Sequence, residues 1–405
     1  MKTHFLPKTV CLGILTTLLV SGCKADGNPD GGKTPPEIPE GDVTVAAYYF
    51  PNWGPAESSE WKTIQEAKPY FTGHKQPKVP LWGYRNENLP EVMAQKIDAA
   101  ADHGIDVFVF DWYFYDEENI SGNKYLFQAL EEGFLGADNN DRIKFAVMWC
   151  NHDLGNIAPG AVAPQTVDAM MDYVIEHYFK HPSYWKIDGC PYFSIYEVNS
   201  FLASFGNDYE KAAAAIARFR EKVKQAGFKD LCLNGVLFGM GGIVDEAVAA
   251  LGIQSVTSYV WIHHNTLPFF PYTKYEKAAE RYFGSVSQGG GSNGLEKGAA
   301  ALPVPYHVNV SVGWDSSPRC GAVTEEEWRA RRDYPFGAVI VDNTPALFKR
   351  YLAKAKSMAL KNPPGDRIVM INSWNEWGEG SYLEPDTENG TGYLEAIKDV
   401  FTTDK

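Results

Sequence analysis

The chain has 405 residues, a formal net charge of −14 and 14% aromatic residues, among them 11 Trp and 22 Tyr. Such acidity excludes a protein built to hold nucleic acid, because phosphate contact rests on clustered Lys and Arg. The length allows one large α/β barrel with insertions or two smaller domains, and a surplus of Trp and Tyr over structural need suits stacking against the apolar faces of sugars.

Lys2 and Lys8 flank a polar start, and Thr9 to Val20 is an apolar run. A bilayer span needs about 20 apolar residues, so the run reads as an export leader. It ends in Val20-Ser21-Gly22-Cys23, which resembles the lipobox of bacterial lipoproteins. The resemblance implies that residues 1–22 are removed and that Cys23 is lipidated, in preference to ordinary cleavage with Cys23 incidental. The expected location is the bacterial cell envelope, lipid-anchored at the outer membrane or cell surface. Residues 23–42 are rich in Gly, Pro, Asp and Lys without apolar periodicity and read as a flexible tether. Residues 43–405 contain no second linker and no repeat, so they are expected to form a single domain.

Eight apolar, β-rich runs follow: Val43–Phe50, Asp106–Trp112, Lys144–Trp149, Pro191–Tyr196, Leu231–Phe238, Ser255–Trp261, Val304–Val312 and Arg367–Ser373. Between them the pattern predicts helices over Pro90–His103, Tyr125–Gly133, Gln165–Phe179, Tyr209–Gln225, Ile243–Leu251, Tyr275–Phe283 and Pro345–Leu360, with Gly392–Phe401 last. Eight alternating units imply one (β/α)8 (TIM) barrel with loop insertions. An open doubly wound sheet would show a glycine-rich phosphate turn after its first strand. The first run instead enters Pro51-Asn52-Trp53-Gly54-Pro55, and the glycines of Phe238–Gly242 read as a tight turn. No nucleotide cofactor is expected. Cys150, Cys190, Cys232 and Cys320 are widely spaced, with no metal pattern, and read as free thiols rather than a disulfide framework. Gly284–Ala301, rich in Gly and Ser, is expected to be a mobile loop.

Barrel enzymes carry their chemistry at the C-terminal strand ends. Here those ends hold Tyr49 and Trp53, Asp111 and Trp112, Tyr196 and Glu197, Trp261 and His263, Trp314 and Asp315, and finally Trp374-Asn375-Glu376-Trp377-Gly378-Glu379-Gly380. Glycoside cleavage ordinarily needs two carboxyl groups. Gly378 and Gly380 allow the chain to turn so that Glu376 and Glu379 share one pocket, and the neighbouring tryptophans would raise a carboxyl pKa toward that of a general acid. A Glu197/Glu376 pair is the competing assignment. Asp111 and Asp315 are candidates to bind sugar hydroxyls or to orient Arg319. Tyr49, Trp53, Trp112, Tyr196, Trp261 and Trp314 are candidate stacking surfaces, with Trp374, Asn375 and Trp377 lining the pocket. His263 and His264 have no third ligand at metal spacing and read as one substrate-facing and one structural residue.

The segment Asn372 to Asp386 resembles the C-terminal signature of the WbsX-type proteins, relatives of glycoside hydrolase family 99. Ala46-Ala47-Tyr48-Tyr49-Phe50-Pro51-Asn52-Trp53 is similar to that group's opening strand, and Gly313-Trp314-Asp315-Ser316-Ser317-Pro318-Arg319 to its Gly-Trp-Asp block. The resemblance implies a metal-free, retaining, endo-acting α-mannosidase-like enzyme. Glu376 would be the base on the sugar 2-hydroxyl and Glu379 the acid/base. The chain differs at Gly378, where the mannosidases carry a larger residue, and at Trp149-Cys150-Asn151-His152. The expected partner is an oligo- or polysaccharide, with membrane contact through the lipid alone and other glycan-utilisation proteins as surface neighbours. The alternatives are a glycosyltransferase of polysaccharide assembly and a non-catalytic glycan-binding lipoprotein.

Overall fold

The computed structural model describes residues 38–402, so the leader, Cys23 and most of the expected tether lie outside the described residues. The last part of that tether packs rather than hanging free, with Ile38 lying against the core.

Eight parallel strands form the centre: β1 (Thr44–Tyr49), β2 (Val107–Phe114), β3 (Lys144–Trp149), β4 (Cys190–Ile195), β5 (Cys232–Val236), β6 (Ser255–Thr257), β7 (Tyr306–Ser311) and β8 (Ile368–Asn372). Each pairs with the next, and β8 returns to β1 with Thr44 opposite Ile368 and Ala47 opposite Ile371, which closes the barrel. The sequence of β2, Val-Phe-Val-Phe-Asp-Trp-Tyr-Phe, is buried throughout. A parallel strand needs such a run when helices cover one face and the barrel interior the other. Hydrogen bonds from Ser194 to Asn234 and from Asn234 to Ser255 cross between neighbouring strands and satisfy these buried polar groups.

The helices start where their residues direct. Pro90, Pro164 and Pro345 occupy first turns, and the Asp208 and Thr344 side chains accept backbone N–H groups at N-caps. Tyr209–Gln225 and Gly392–Phe401 match their expected bounds. Four expectations need correction. Lys124–Tyr125 pairs with the end of β2, and the helical turns begin only at Ala129. The fifth strand ends at Val236, where a 3₁₀ turn begins. The sixth ends at Thr257, because Trp261 donates its backbone N–H to Ser311 Oγ and its indole N–H to the Asn309 carbonyl, drawing Trp261–His263 into a 3₁₀ turn. Gly284–Ala301 begins with the last turns of helix Tyr275–Gln288 and then buries Leu295, while Ser292 and Asn293 donate to the His263 carbonyl.

Two short elements that periodicity did not indicate shape the active face. Helix α1 (Ser59–Gln65) is capped by Ser58 and buries Trp61 and Ile64. Past β8 a hairpin pairs Asn375–Glu376 with Ser381–Tyr382. Helix α2 (Pro90–Asp102) is the first of the covering helices. Cys150, Cys190, Cys232 and Cys320 are free, and among the described residues no helix is long and apolar enough to cross a membrane.

Candidate active site

The hairpin after β8 is held from below. Ser373 Oγ accepts the Glu376 N–H at 2.8 Å and donates to the Ser381 carbonyl. Asn375 clamps the end of β1, accepting from Phe50 N at 2.8 Å and donating to Phe50 O at 2.9 Å, while Trp53 donates its indole N–H to the Asn375 carbonyl. Trp377 lies on Tyr382 with ring centroids 3.7 Å apart and donates to Glu384. Lys96 of α2 is buried between Glu87 and Glu384, and Glu87 also accepts from Asn375.

Burial, opposed by the Lys96 charge and reinforced by Glu384, pushes the Glu87 carboxyl up to about 7. The folded protein therefore holds a proton there that an unfolded chain, with an ordinary value of 4.5, releases. This group's stabilisation is complete below about pH 4.5 and is lost as pH rises through about 7. Glu87→Gln, neutral at every pH, should flatten that slope in thermal melts recorded across the interval. An unchanged slope would remove Glu87 as its source.

On this base the hairpin turn carries Glu376 and Glu379 at its two ends. Glu376 is 5% exposed. Its Oε1 lies 3.3 Å from the Tyr259 hydroxyl, and its Oε2, without a hydrogen bond, is 3.5 Å from Arg319 Nη2. Glu379 is more open, and its Oε1 accepts from the Tyr334 hydroxyl at 3.0 Å. Arg319 lies over the turn, forms a 2.9 Å ion pair with Glu60 of α1, and stands 5.4 Å from the Phe50 ring centre.

Gly378 is what lets the guanidinium approach. A Cβ there would meet Arg319 atoms at 2.7 to 2.8 Å. The guanidinium thus packs directly on bare backbone. Gly380 turns through φ +62°, and its bare Cα fits against Asp315. We expect Gly378→Ala to displace Arg319 at about 1–3 kcal/mol of stability, with a loss of activity larger than melting would account for. Parallel melting and turnover measurements check this, and proportionate losses would contradict it.

Burial raises both carboxyls. For Glu376 the rise is large, reinforced by the charges of Glu379, Asp111 and Glu60 and opposed by Arg319. Glu379 is raised by burial against the lowering influence of Arg319 and the Tyr334 hydrogen bond. Asp111 is pushed well up by burial, though its Oδ2 accepts from Tyr259 at 2.9 Å. The Tyr259 hydroxyl has one proton for two carboxyls, so the geometry is satisfied when one of them is protonated and donates back to the phenol oxygen. With the Arg319 cation beside them, Glu376 and Glu379 share protons and titrate together.

Around the pair stand other expected residues. Tyr196 packs edge-on against Tyr259 at 5.6 Å, His263 lies 3.9 Å from Phe238 and 6.2 Å from Tyr259, and Trp314 lies 6.4 Å from Tyr334. Burial lowers His263 to about 3 and His264 to about 4, so both rings are neutral at ordinary pH. Glu197 receives a hydrogen bond from Ser200, and the charges bearing on Glu376 are those of Glu379, Arg319, Asp111 and Glu60; the geometry pairs Glu376 with Glu379.

Eight expected substrate contacts lie elsewhere. Tyr49 points out of the barrel to Met93, Trp112 is buried and donates to Tyr178, and Trp261 packs on Tyr282. Trp53 is enclosed against Trp61, Trp374 against Phe108, and Trp377 against Tyr382. Asn375 spends its amide on Phe50 and Glu87. Asp315 is held by His74 at 2.9 Å, Gln76 at 2.7 Å and the Ser317 N–H; burial pushes its carboxyl up, but His74, Ser317 and the Lys78 charge outweigh that and lower its pKa. All eight side chains are buried, and Trp53, Asn375 and Trp377 hold the hairpin. Sequence reasoning missed Glu60, Tyr259 and Tyr334 as site residues, and named Arg319 only as a residue to be oriented. Ser58 before Trp61 and Ile64 was a usable signal for α1, and Arg319 closes the Gly313 block; nothing marked Tyr334.

The barrel that carries this turn is shared with known proteins. Solved structures of like fold include the GH99 endo-α-mannosidase from Bacteroides thetaiotaomicron, with TM-score 0.55 and 16% identity over 89% of this chain and 97% of that one. A glycoside hydrolase-like protein has TM-score 0.56 and 16% identity over 91% and 97%. These likenesses establish the (β/α)8 barrel fold. "Uncharacterized protein WxcX" of Xanthomonas campestris pv. campestris, in strains B100 and ATCC 33913, is 22% identical over 382 residues, 89% of this chain and 50% of the relative. The chain thus spans about half the length of the curated relatives it matches. The family profile described as "Glycosyltransferase WbsX" matches residues 51–397, from the end of β1 into the last helix, and the chain belongs to the WbsX family.

Proposed function

We propose that this protein is a retaining glycoside hydrolase acting on an α-linked, mannose-containing polysaccharide or glycan at the cell envelope, with Glu376 and Glu379 as its catalytic pair. The observation that carries the reading is the turn itself, where two raised carboxyls flank a guanidinium that can keep one of them charged while the other holds a proton. Glu379 is the more open and takes the Tyr334 hydrogen bond on Oε1, leaving Oε2 to protonate the departing oxygen. Glu376, whose Oε2 has no hydrogen bond, removes the proton of the sugar 2-hydroxyl. That oxygen closes on the anomeric carbon as the glycosidic bond breaks, giving an anhydro-sugar. Water, deprotonated by Glu379, then opens the ring while Glu376 returns its proton to the 2-oxygen, and the starting configuration is restored.

The family's description favours a second reading, transfer from a sugar donor. Incubation with α-linked oligosaccharides, with and without nucleotide sugars, separates the two. Hydrolysis predicts shortened products with retained anomeric configuration and no donor requirement; products that form only with a donor would replace this reading. A non-catalytic binder would give neither. The envelope location rests on the leader and Cys23, and mass analysis of the N-terminal peptide for a lipid at Cys23 tests it.

A further inference from the structure

Tyr334 faces two ways. Its hydroxyl donates to Glu379, while its ring, 57% exposed, helps wall a cavity of about 350 Å³ with Trp314, Phe270, Leu267 and Arg332. That volume lies in the range of small-ligand sites. If Glu379 gives its proton to the departing oxygen, this cavity receives the sugar on the leaving-group side, and to that extent its role rests on the hydrolase reading.

The cavity's charge is unusual for its segment. Arg329 is matched by Glu325 at 2.7 Å and Arg331 by Asp333 at 2.6 Å. Arg332 has no carboxylate partner among the described residues. Its guanidinium lies 3.6 Å from the Phe270 ring centre, and Nη1 is fixed by the carbonyls of Arg329 and Arg331 at 2.5 and 2.6 Å, leaving Nε and Nη2 undonated. A guanidinium held in this way presents a planar fork to an oxyanion. The acidic groups around Arg319 would repel a negative group on the sugar being cleaved, so charge on the substrate is better placed toward Arg332.

We propose that this cavity is a leaving-group subsite for an acidic sugar, whose carboxylate or sulfate oxygens pair with Arg332 while its ring rests against Trp314 and Tyr334. The test uses the full chain carrying Glu379→Gln, so that binding is read without turnover. Calorimetry compares trigalacturonate with its methyl ester, and 6-sulfated with unsulfated α-mannotriose. At least one charged form should bind about tenfold more tightly than its neutral partner, as a charge-assisted hydrogen bond implies. That preference should weaken with salt, vanish in Arg332→Gln and return in part in Arg332→Lys. Which pair shows it tells carboxylate from sulfate. Equal binding of charged and neutral forms, no binding of either charged form, or a preference that survives Arg332→Gln overturns the proposal. A wild-type protein that cleaves no glycan yet keeps the Arg332-dependent preference would sink the hydrolase reading and leave the acidic subsite standing.

Discussion

Glu379→Gln should lower turnover of a cleavable glycan by roughly 10²–10⁴-fold, the usual worth of a positioned acid/base, without altering the fold. The amide oxygen still accepts from Tyr334, so the turn keeps its hydrogen bond while losing the proton that the departing oxygen needs. The comparison that matters is between glycans with poor and good leaving groups. A leaving group that departs without protonation should recover most of the rate of the first step. Product analysis by mass, with circular dichroism as the fold control, checks both points, and wild-type turnover in the variant would refute Glu379 as the proton donor.

Arg319→Gln is expected to reduce activity by roughly 10²–10³-fold, comparable to loss of a preorganised electrostatic group. Arg319 lowers both glutamates, so its removal lets burial push them further up. Because Glu376 must be ionised to act as base, the acidic limb of the pH–rate profile should move to higher pH. Arg319→Lys should restore only part of the loss, because a lysine cannot reach Glu60 and Glu376 with one planar fork. Glu60 is left without its cation in the single variant. Adding Glu60→Gln should therefore recover melting temperature but not activity, which separates a structural role from a catalytic one.

The strand and helix order could be read from the chain because both periodicities are strong. Eight apolar runs are separated by stretches with helical spacing, and the Pro and Asp caps fall at their boundaries. The turn that brings Glu376 and Glu379 together could be read as well, since they stand among glycines and tryptophans just past β8. Which tryptophans face the pocket could not. Trp53 and Trp377 look like sugar platforms until their indole N–H groups are seen to go to the Asn375 carbonyl and to Glu384, and the Asn375 partner lies 322 positions from Trp53. Local sequence does not show such distant partners. Tyr334 was hidden for a related reason, because it comes from a long loop after β7 whose course depends on packing of Trp328 and Phe336 rather than on any repeating pattern.

The Asn375 amide joins Phe50 to the hairpin across 325 positions. Bringing such distant segments together costs loop-closure entropy that grows only slowly with length, yet it must be met before the contact forms, and contacts of this separation are slow to form. Fixing of the hairpin that carries Glu376 and Glu379 consequently coincides with the joining of the earliest and latest barrel strands. The onset of glycan cleavage during refolding should therefore time barrel completion more directly than far-ultraviolet ellipticity does.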